Sequence, residues 1–301
     1  MQNYNMLMKY NLPYLVNLPP FLLKDIDERN LSSVKKIRLI IGGKLISILI
    51  KRTKGKVFCA ILNIFFANDG KIYFDGDKYY KESENFQKIY FPNKRILRVV
   101  KNTKKHLDLV FQYYCLDSIE LKNGDLIIDC GANVGEVYLS MLSNNIKCKY
   151  IAFEPDKITF NSLEKNILSE SKELNQIALS NTVEQKSLFL DSEGGNSSLI
   201  SFGTDEHVKV DTNTLDNYEI NESIKLLKIE AEGHEPEVLL GSLKTLKKVN
   251  YISVDFGAER GVDQDYTIVE VNNILYDNDF KLVNFSDYRF IGLYKNTKIN
   301  D

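Results

Sequence analysis

Residues 125 to 136 read Asp-Leu-Ile-Ile-Asp-Cys-Gly-Ala-Asn-Val-Gly-Glu, an apolar run that ends in an acid, breaks into a glycine turn and enters a helix-like segment. A strand that is apolar on both faces belongs inside a parallel sheet covered by helices, and the loop at its carboxyl end is where such sheets bind ligands. Gly131 and Gly135 are expected to let the backbone approach a ligand closely, and Asp129 to place a carboxylate at the mouth of the same crevice.

A second short apolar strand, Lys-Tyr-Ile-Ala-Phe at 149–153, ends in Glu154 and Pro155. An acid about 20 residues past a glycine turn is placed to accept hydrogen bonds from ribose hydroxyls. The turn is not G-x-G-x-x-G. Its spacing is Asp129-x-Gly131-x-Asn133-x-Gly135, followed by Phe153-Glu154-Pro155, the form taken by S-adenosylmethionine sites rather than dinucleotide sites.

From about residue 119 strand-like and helix-like segments alternate, which argues for an α/β fold with a parallel sheet. Strands are predicted at 125–130, 149–154, 175–179, 224–230 and 249–255, and helices at 136–143, 156–168, 236–247 and 266–278. Two further strands, 280–285 and 289–295, are separated by the polar turn Ser286-Asp287 and close the sheet as an antiparallel hairpin. Between the third and fourth parallel strands lies an insertion, 182–218, with alternating segments and a loop Gly194-Gly195-Asn196-Ser197-Ser198.

Residues 225–235 read Lys-Leu-Leu-Lys-Ile-Glu-Ala-Glu-Gly-His-Glu. The fourth strand neighbours the first, so Lys228, Glu230, Glu232, His234 and Glu235 are expected to converge at the same crevice, near the reactive end of a bound nucleoside. A hydroxyl acceptor needs a base, and His234 is the first candidate, with Glu230 or Glu232 as alternatives and Lys228 beside them. Acids before a helix also cap it, and Lys228 also suits a simple ion pair. Glu230, Glu232, His234 and Asp255 have the ligand chemistry for Mg²⁺ or Mn²⁺. Neighbouring residues on one strand point to opposite faces, so no metal site is expected.

The charge is unevenly distributed. Residues 1–118 carry 21 Lys or Arg against 10 Asp or Glu, a balance of +11, and the remainder carries 18 against 31, a balance of −13. Residues 35–66 hold eight basic residues, Lys35 to Lys56, and no acid, interleaved with apolar blocks and interrupted by Gly42-Gly43 and Gly55. Such a segment suits either a helical subdomain packed on the main domain or peripheral contact with a membrane. Residues 71–81 predict a β-hairpin turning at Asp75-Gly76. Cysteines at 59, 115, 130 and 148 have neither zinc nor disulfide spacing. No signal-peptide pattern and no long apolar stretch is read, which points to a cytoplasmic chain, with membrane association through residues 35–66 the alternative.

Four blocks together resemble the FkbM family of S-adenosylmethionine-dependent methyltransferases: Ile128-Asp129-Cys130-Gly131-Ala132-Asn133-Val134-Gly135, Phe153-Glu154-Pro155, Ile177-Ala178-Leu179-Ser180 and the 227–235 stretch. Thr214-Leu215-Asp216 resembles a fifth. The resemblance spans about 112–295. It implies a class I methyltransferase (Rossmann-like) fold with a seven-stranded sheet, and O-methylation of a sugar, glycan or natural-product hydroxyl. Carried over, Asp129, Gly131, Asn133 and Gly135 surround the methionine part of the cofactor, Glu154 and Pro155 the ribose, and Ala178 with Leu179 the adenine. Glu230 stands where the family has Asp, one methylene longer. The organisation expected is a mainly helical, basic region at 1–110 and a methyltransferase domain at 111–301.

An amine or carboxyl acceptor, or a nucleoside-binding module without catalysis, are the competing readings. Nucleic acid is not the expected acceptor, because no Asn/Asp-Pro-Pro-aromatic block is found at the fourth strand and neither basic run, 35–66 or 94–106, has regular aromatic interleaving.

Overall fold

The computed structural model describes residues 18, 20–23, 32–83, 86–191, 197–286 and 289–299. The glycine-rich part of the 194–198 loop and Asp287 of the Ser286-Asp287 turn lie outside them. The chain forms two compact units, one running to Ile89 together with Lys94–Thr103, the other Tyr90–Asn93 together with Lys104 onward.

The first unit holds helices α1 (Ser33–Arg52) and α2 (Gly55–Phe66) and a three-stranded sheet, β1 (Lys71–Phe74), β2 (Tyr79–Ser83) and, up to Ile89, β3 (Phe86–Phe91), in that order. Ser32 caps α1 by accepting from the Lys35 N–H. The expected interruption at Gly42-Gly43 does not occur. Helix α1 runs through both, and Gly43 sits against Leu18, where a Cβ would lie 2.7 Å from Cδ2. Gly55, at φ +57°, does mark the break before α2. The hairpin forms, but on a four-residue loop rather than two: Phe74 pairs with Tyr79, and Asp75 Oδ1 accepts from the N–H groups of Asp77 and Lys78. Lys81, almost fully buried, is held by Asp69 at 2.6 Å and the Val99 carbonyl at 2.6 Å.

The second unit takes in α3 (Thr103–Tyr113) from Lys104 onward and is built on a seven-stranded sheet. Its strands are β4 (Leu126–Cys130), β5 (Lys149–Phe153), β6 (Lys172–Asn175), β10 (Ile224–Ile229), β11 (Val249–Asp255), β14 (Phe280–Ser286) and β15 (Ile291–Asn296). The order is β14-β15-β11-β10-β4-β5-β6, with β15 antiparallel to both neighbours and the pairs from β11 to β6 parallel. Helices α4 (Glu136–Ser143), α5 (Lys157–Asn166), α6 (Glu235–Leu240) and α7 (Ile268–Asp277) connect the strands. The order reverses beside β4, which places a ligand crevice at the carboxyl ends of β4, β5 and β10.

Alternation along β4 and β10 divides two environments. Ile128, Cys130, Leu227 and Ile229 join Val238 and Leu239 of α6 and Val271 and Leu275 of α7 in one apolar core. Asp129 and Lys228, paired across the strands, point to the other face.

The strand expected at 175–179 is two pieces. Lys172–Asn175 completes the main sheet as β6. Ala178–Leu179 (β7) instead pairs with β9 (His207–Asn213), which also pairs with β8 (Gln185–Phe189), so the insertion is a second small sheet. A short pair, β12 (Ala258–Arg260) and β13 (Asp265–Tyr266), follows β11.

Candidate active site

The turn after β4 is built by its own backbone. Gly131 and Ala132 donate N–H groups to the Phe153 carbonyl, both at 3.0 Å, locking the turn to the end of β5. Asn133 has φ +50° and accepts from the Val134 N–H with its own Oδ1. Asn166, at the end of α5, donates to the Val134 carbonyl at 2.8 Å. The two glycines are required here by packing. A Cβ on Gly131 (φ +72°) would lie 1.8 Å from the Glu230 carbonyl oxygen, and one on Gly135 (φ +86°) 2.6 Å from Ile167.

Glu154 is buried beneath this turn. Its Oε2 accepts from the Asn133 N–H and its Oε1 from the Asp156 N–H, each at 2.9 Å. Burial outweighs those two donors and pushes its carboxyl up to about 7. Pro155 leads into Asp156, which caps α5 by accepting from the Thr159 N–H.

Asp129 is fully buried, 3.0 Å from Lys228 Nζ, and accepts from the Tyr150 hydroxyl at 2.5 Å. Burial raises its pKa against the pull of Lys228. Lys228 also donates to the carbonyls of Gly131 (2.7 Å) and Cys130 (3.2 Å), approaches Glu230 at 3.5 Å, and lies over the Tyr114 ring. Its ammonium is engaged in holding the turn.

Glu230 carries the cluster outward. Tyr114 donates its hydroxyl to one carboxylate oxygen and Arg289 an N–H to the other at 2.8 Å; Arg289 also reaches Asp255 at 3.2 Å. Beyond them Glu259 is hydrogen-bonded to Glu232. Burial, with Glu232 and Glu230 adding like charge, lifts Glu259 to about 9. Asp255 is raised to about 7, by burial against the opposing pull of Arg289. Asp129, Glu230, Glu232, Asp255 and Glu259 thus outnumber the cations Lys228 and Arg289, and the excess is relieved by protons held on carboxyls. Tyr266, Phe285 and Phe290 are exposed and lie in a contact chain, with Tyr266–Phe290 and Phe285–Phe290 ring centroids 5.4 and 6.3 Å apart.

The convergence expected at 225–235 is therefore partial. Glu230 and Glu232 join the carboxylate cluster with Lys228. His234 does not. Its Nε2 lies 3.0 Å from Ser180 Oγ, and Glu237 and Arg260 pair beside it at 2.7 Å. Burial, helped by Lys186 and Arg260, lowers its pKa to about 4 against the opposing pull of Glu237. Such an imidazole is a weak base, which removes the reason for choosing it. Glu235 folds back to accept from the N–H groups of Ala231 and Gly233 at 2.9 and 3.0 Å, a capping role. Ala178 packs with Leu188 and Val210, and Leu179 in the main core, so both side chains are committed to packing. Among the described residues no group of three His, Cys, Asp or Glu side chains is arranged to hold a metal ion.

Sequence reasoning missed Tyr114, Arg289 and Glu259. Glu259 was accessible to the rule already used, because β11 also ends in an acid followed by a glycine loop, Asp255-Phe-Gly-Ala-Glu259. Tyr114 and Arg289 reach the cluster from the end of α3 and from the turn of the terminal hairpin, and carry no local signal.

A parallel sheet reversing beside β4, ending in an antiparallel hairpin, with a glycine turn after its first strand and a buried acid after its second, defines a class I methyltransferase. The chain belongs to the FkbM methyltransferase domain family, which it matches over residues 129–282. It is 28% identical over 173 residues to a protein named Methyltransferase 1 from Beauveria bassiana (strain ARSEF 2860), a match covering 52% of this chain and 66% of that protein, slightly under two thirds of its length. Similar solved structures include a SAM-dependent methyltransferase from Aquifex aeolicus (15% identity, 63% of this chain, 88% of that one, TM-score 0.38). Another is a putative RNA methyltransferase from Pyrococcus horikoshii (12% identity, 66% and 85%, TM-score 0.35). Identities this low say nothing of the acceptor.

The cofactor of this family is S-adenosylmethionine, and the crevice fits it at one diagnostic point. Each Glu154 oxygen takes one backbone N–H, and a carboxylate oxygen has room for a second donor, so two directions suit the two ribose hydroxyls.

Proposed function

We propose that this enzyme methylates a hydroxyl of a sugar, glycan or related natural product. The sulfonium of the cofactor supplies an activated methyl group, so the protein's task is to align the acceptor and remove a proton. Glu154 and the 131–135 turn would hold the nucleoside and methionine portions. The observation that carries the acceptor side is the Glu232–Glu259 hydrogen-bonded carboxyl pair, beyond the Arg289 clamp on Glu230 and Asp255.

In this reading the ionised member of the pair, Glu232, accepts the hydroxyl proton as the methyl transfers. Arg289 orients Glu230 toward the acceptor through its contact at 2.8 Å. Faces of Tyr266, Phe285 and Phe290 provide an apolar shelf for a sugar ring, beside carboxylates that bond its hydroxyls. His234 acts indirectly, by fixing the loop through Ser180. A membrane contact through residues 35–66 belongs to the same reading, because an acceptor carried on lipid is met at a bilayer surface.

The test is transfer of labelled methyl from S-adenosylmethionine to a panel of glycosides, amines and carboxylic acids. Label in a product stable to mild base and bearing a methyl ether supports the proposal, and Glu232→Gln should lower turnover at least tenfold with cofactor affinity retained. Label released as methanol by mild base, or found on nitrogen, overturns it.

A further inference from the structure

The N-terminal unit carries an apolar face that the described residues leave open. On α1, Val34, Ile37, Ile41, Leu45 and Ile48 are 61%, 57%, 65%, 54% and 50% exposed. At about 100° per residue these five fall within roughly 80° of one another, forming a stripe about 21 Å long. The buried residues of the helix, Gly43 and Ile50, lie on the opposite side. The stripe is bordered by exposed cations, Arg38 on one edge and Lys44 and Lys51 on the other. Helix α2 is also open along Val57, Ile64 and Phe65.

We infer that this face of α1 docks on an anionic lipid surface, with the helix lying in the plane of the interface. Eight Lys or Arg and no Asp or Glu occur from residue 33 to residue 66, so the field complements acidic headgroups. Flanking Lys and Arg side chains lay their stems along the stripe and place their charges at headgroup level, while the aliphatic side chains enter the acyl boundary. A second copy of the same helix is the poorer occupant, because it would set cation against cation along both borders with no acid to pair. No helix among the described residues is long and apolar enough to cross a membrane, which leaves the in-plane arrangement. The inference deepens the membrane contact proposed above, and its test is read separately from methyl transfer.

The full chain is sedimented with extruded vesicles of phosphatidylcholine, or of phosphatidylcholine and phosphatidylglycerol in equal parts. Binding is expected only to the mixed vesicles and is expected to fall as salt shortens the Debye length. Ile41→Glu with Leu45→Glu places charge on open positions and should abolish it. Arg38→Glu, Lys44→Glu and Lys51→Glu together should weaken it on the order of a hundredfold or more. Unchanged adenosine binding and circular dichroism verify that each variant is folded. Absence of binding to the mixed vesicles, or equal binding by the Ile41/Leu45 variant, overturns the inference. So does a dimer, seen by sedimentation, that the same variant dissolves without any vesicle binding.

Discussion

With Glu154 as the proposed ribose partner, cofactor binding should depend on pH with a sign and size that follow from its surroundings. Its ordinary pKa of 4.5 is raised to about 7 because burial outweighs the two backbone N–H groups it accepts. As an acid raised in the folded state, its contribution to stability is full below about pH 4.5 and is lost as pH rises through 7. A ribose that donates two hydroxyls favours the ionised form, so binding should strengthen over the same range. At pH 6 about one molecule in eleven has Glu154 ionised, and at pH 8 about ten in eleven. Affinity should therefore rise about tenfold between them, or ~1.4 kcal/mol.

Adenosine is the suitable probe, because it has the ribose diol without the amino acid that titrates on the full cofactor. Calorimetry in two buffers of different ionisation enthalpy should show release of close to one proton at pH 6 and almost none at pH 8.5. Glu154→Gln should bind about 5- to 150-fold more weakly at pH 8, the usual loss for a charge-assisted hydrogen bond, and lose the pH dependence. Affinity that is flat with pH in the wild type, or a pH dependence that survives in the Gln variant, would refute the assignment.

Further outcomes test the rest of the site. Gly131→Ala should destabilise the fold by ~3 kcal/mol or more in denaturant titration, since the new Cβ meets a backbone oxygen at 1.8 Å and the φ is +72°; a loss under ~1 kcal/mol would show that the turn relaxes easily. Lys228→Met leaves Asp129 buried without its cation and should cost about 3–5 kcal/mol in the same titration, with Asp129→Asn as the second-site change that restores part of the loss. Between pH 7 and 9 the Glu259 carboxyl, raised to about 9, should make the protein less stable as pH rises, and Glu259→Gln should flatten that slope. His234, lowered to about 4, contributes the opposite sign only below pH 6.5 and does not interfere in that window.

The fold and the turn after β4 were legible in the chain because both rest on local patterns. A buried parallel strand must be a continuous apolar run, so β4, β5, β10 and β11 announced themselves. The turn after β4 needs residues that accept positive φ, which is why Gly131, Asn133 and Gly135 recur at alternate positions. The acid after β5 follows from the same crossover geometry. Where local pattern was ambiguous the reading blurred: residues 175–179 are apolar enough for one strand, yet only pairing with β9 decides that Ala178–Leu179 leaves the main sheet.

The composition of the carboxylate cluster was a tertiary decision. Sequence proximity suggested that Glu230, Glu232 and His234 act together, but the left-handed backbone at Glu232 and Gly233 turns the chain between them. His234 is thereby sent toward Ser180 while Glu230 faces Tyr114 and Arg289. Those partners lie 116 and 59 positions away. No periodicity encodes such meetings, because they depend on how α3 and the terminal hairpin close over the sheet. The lowered pKa that makes His234 a weak base has the same origin. Burial and neighbouring charge set it, and both exist only once the chain has folded.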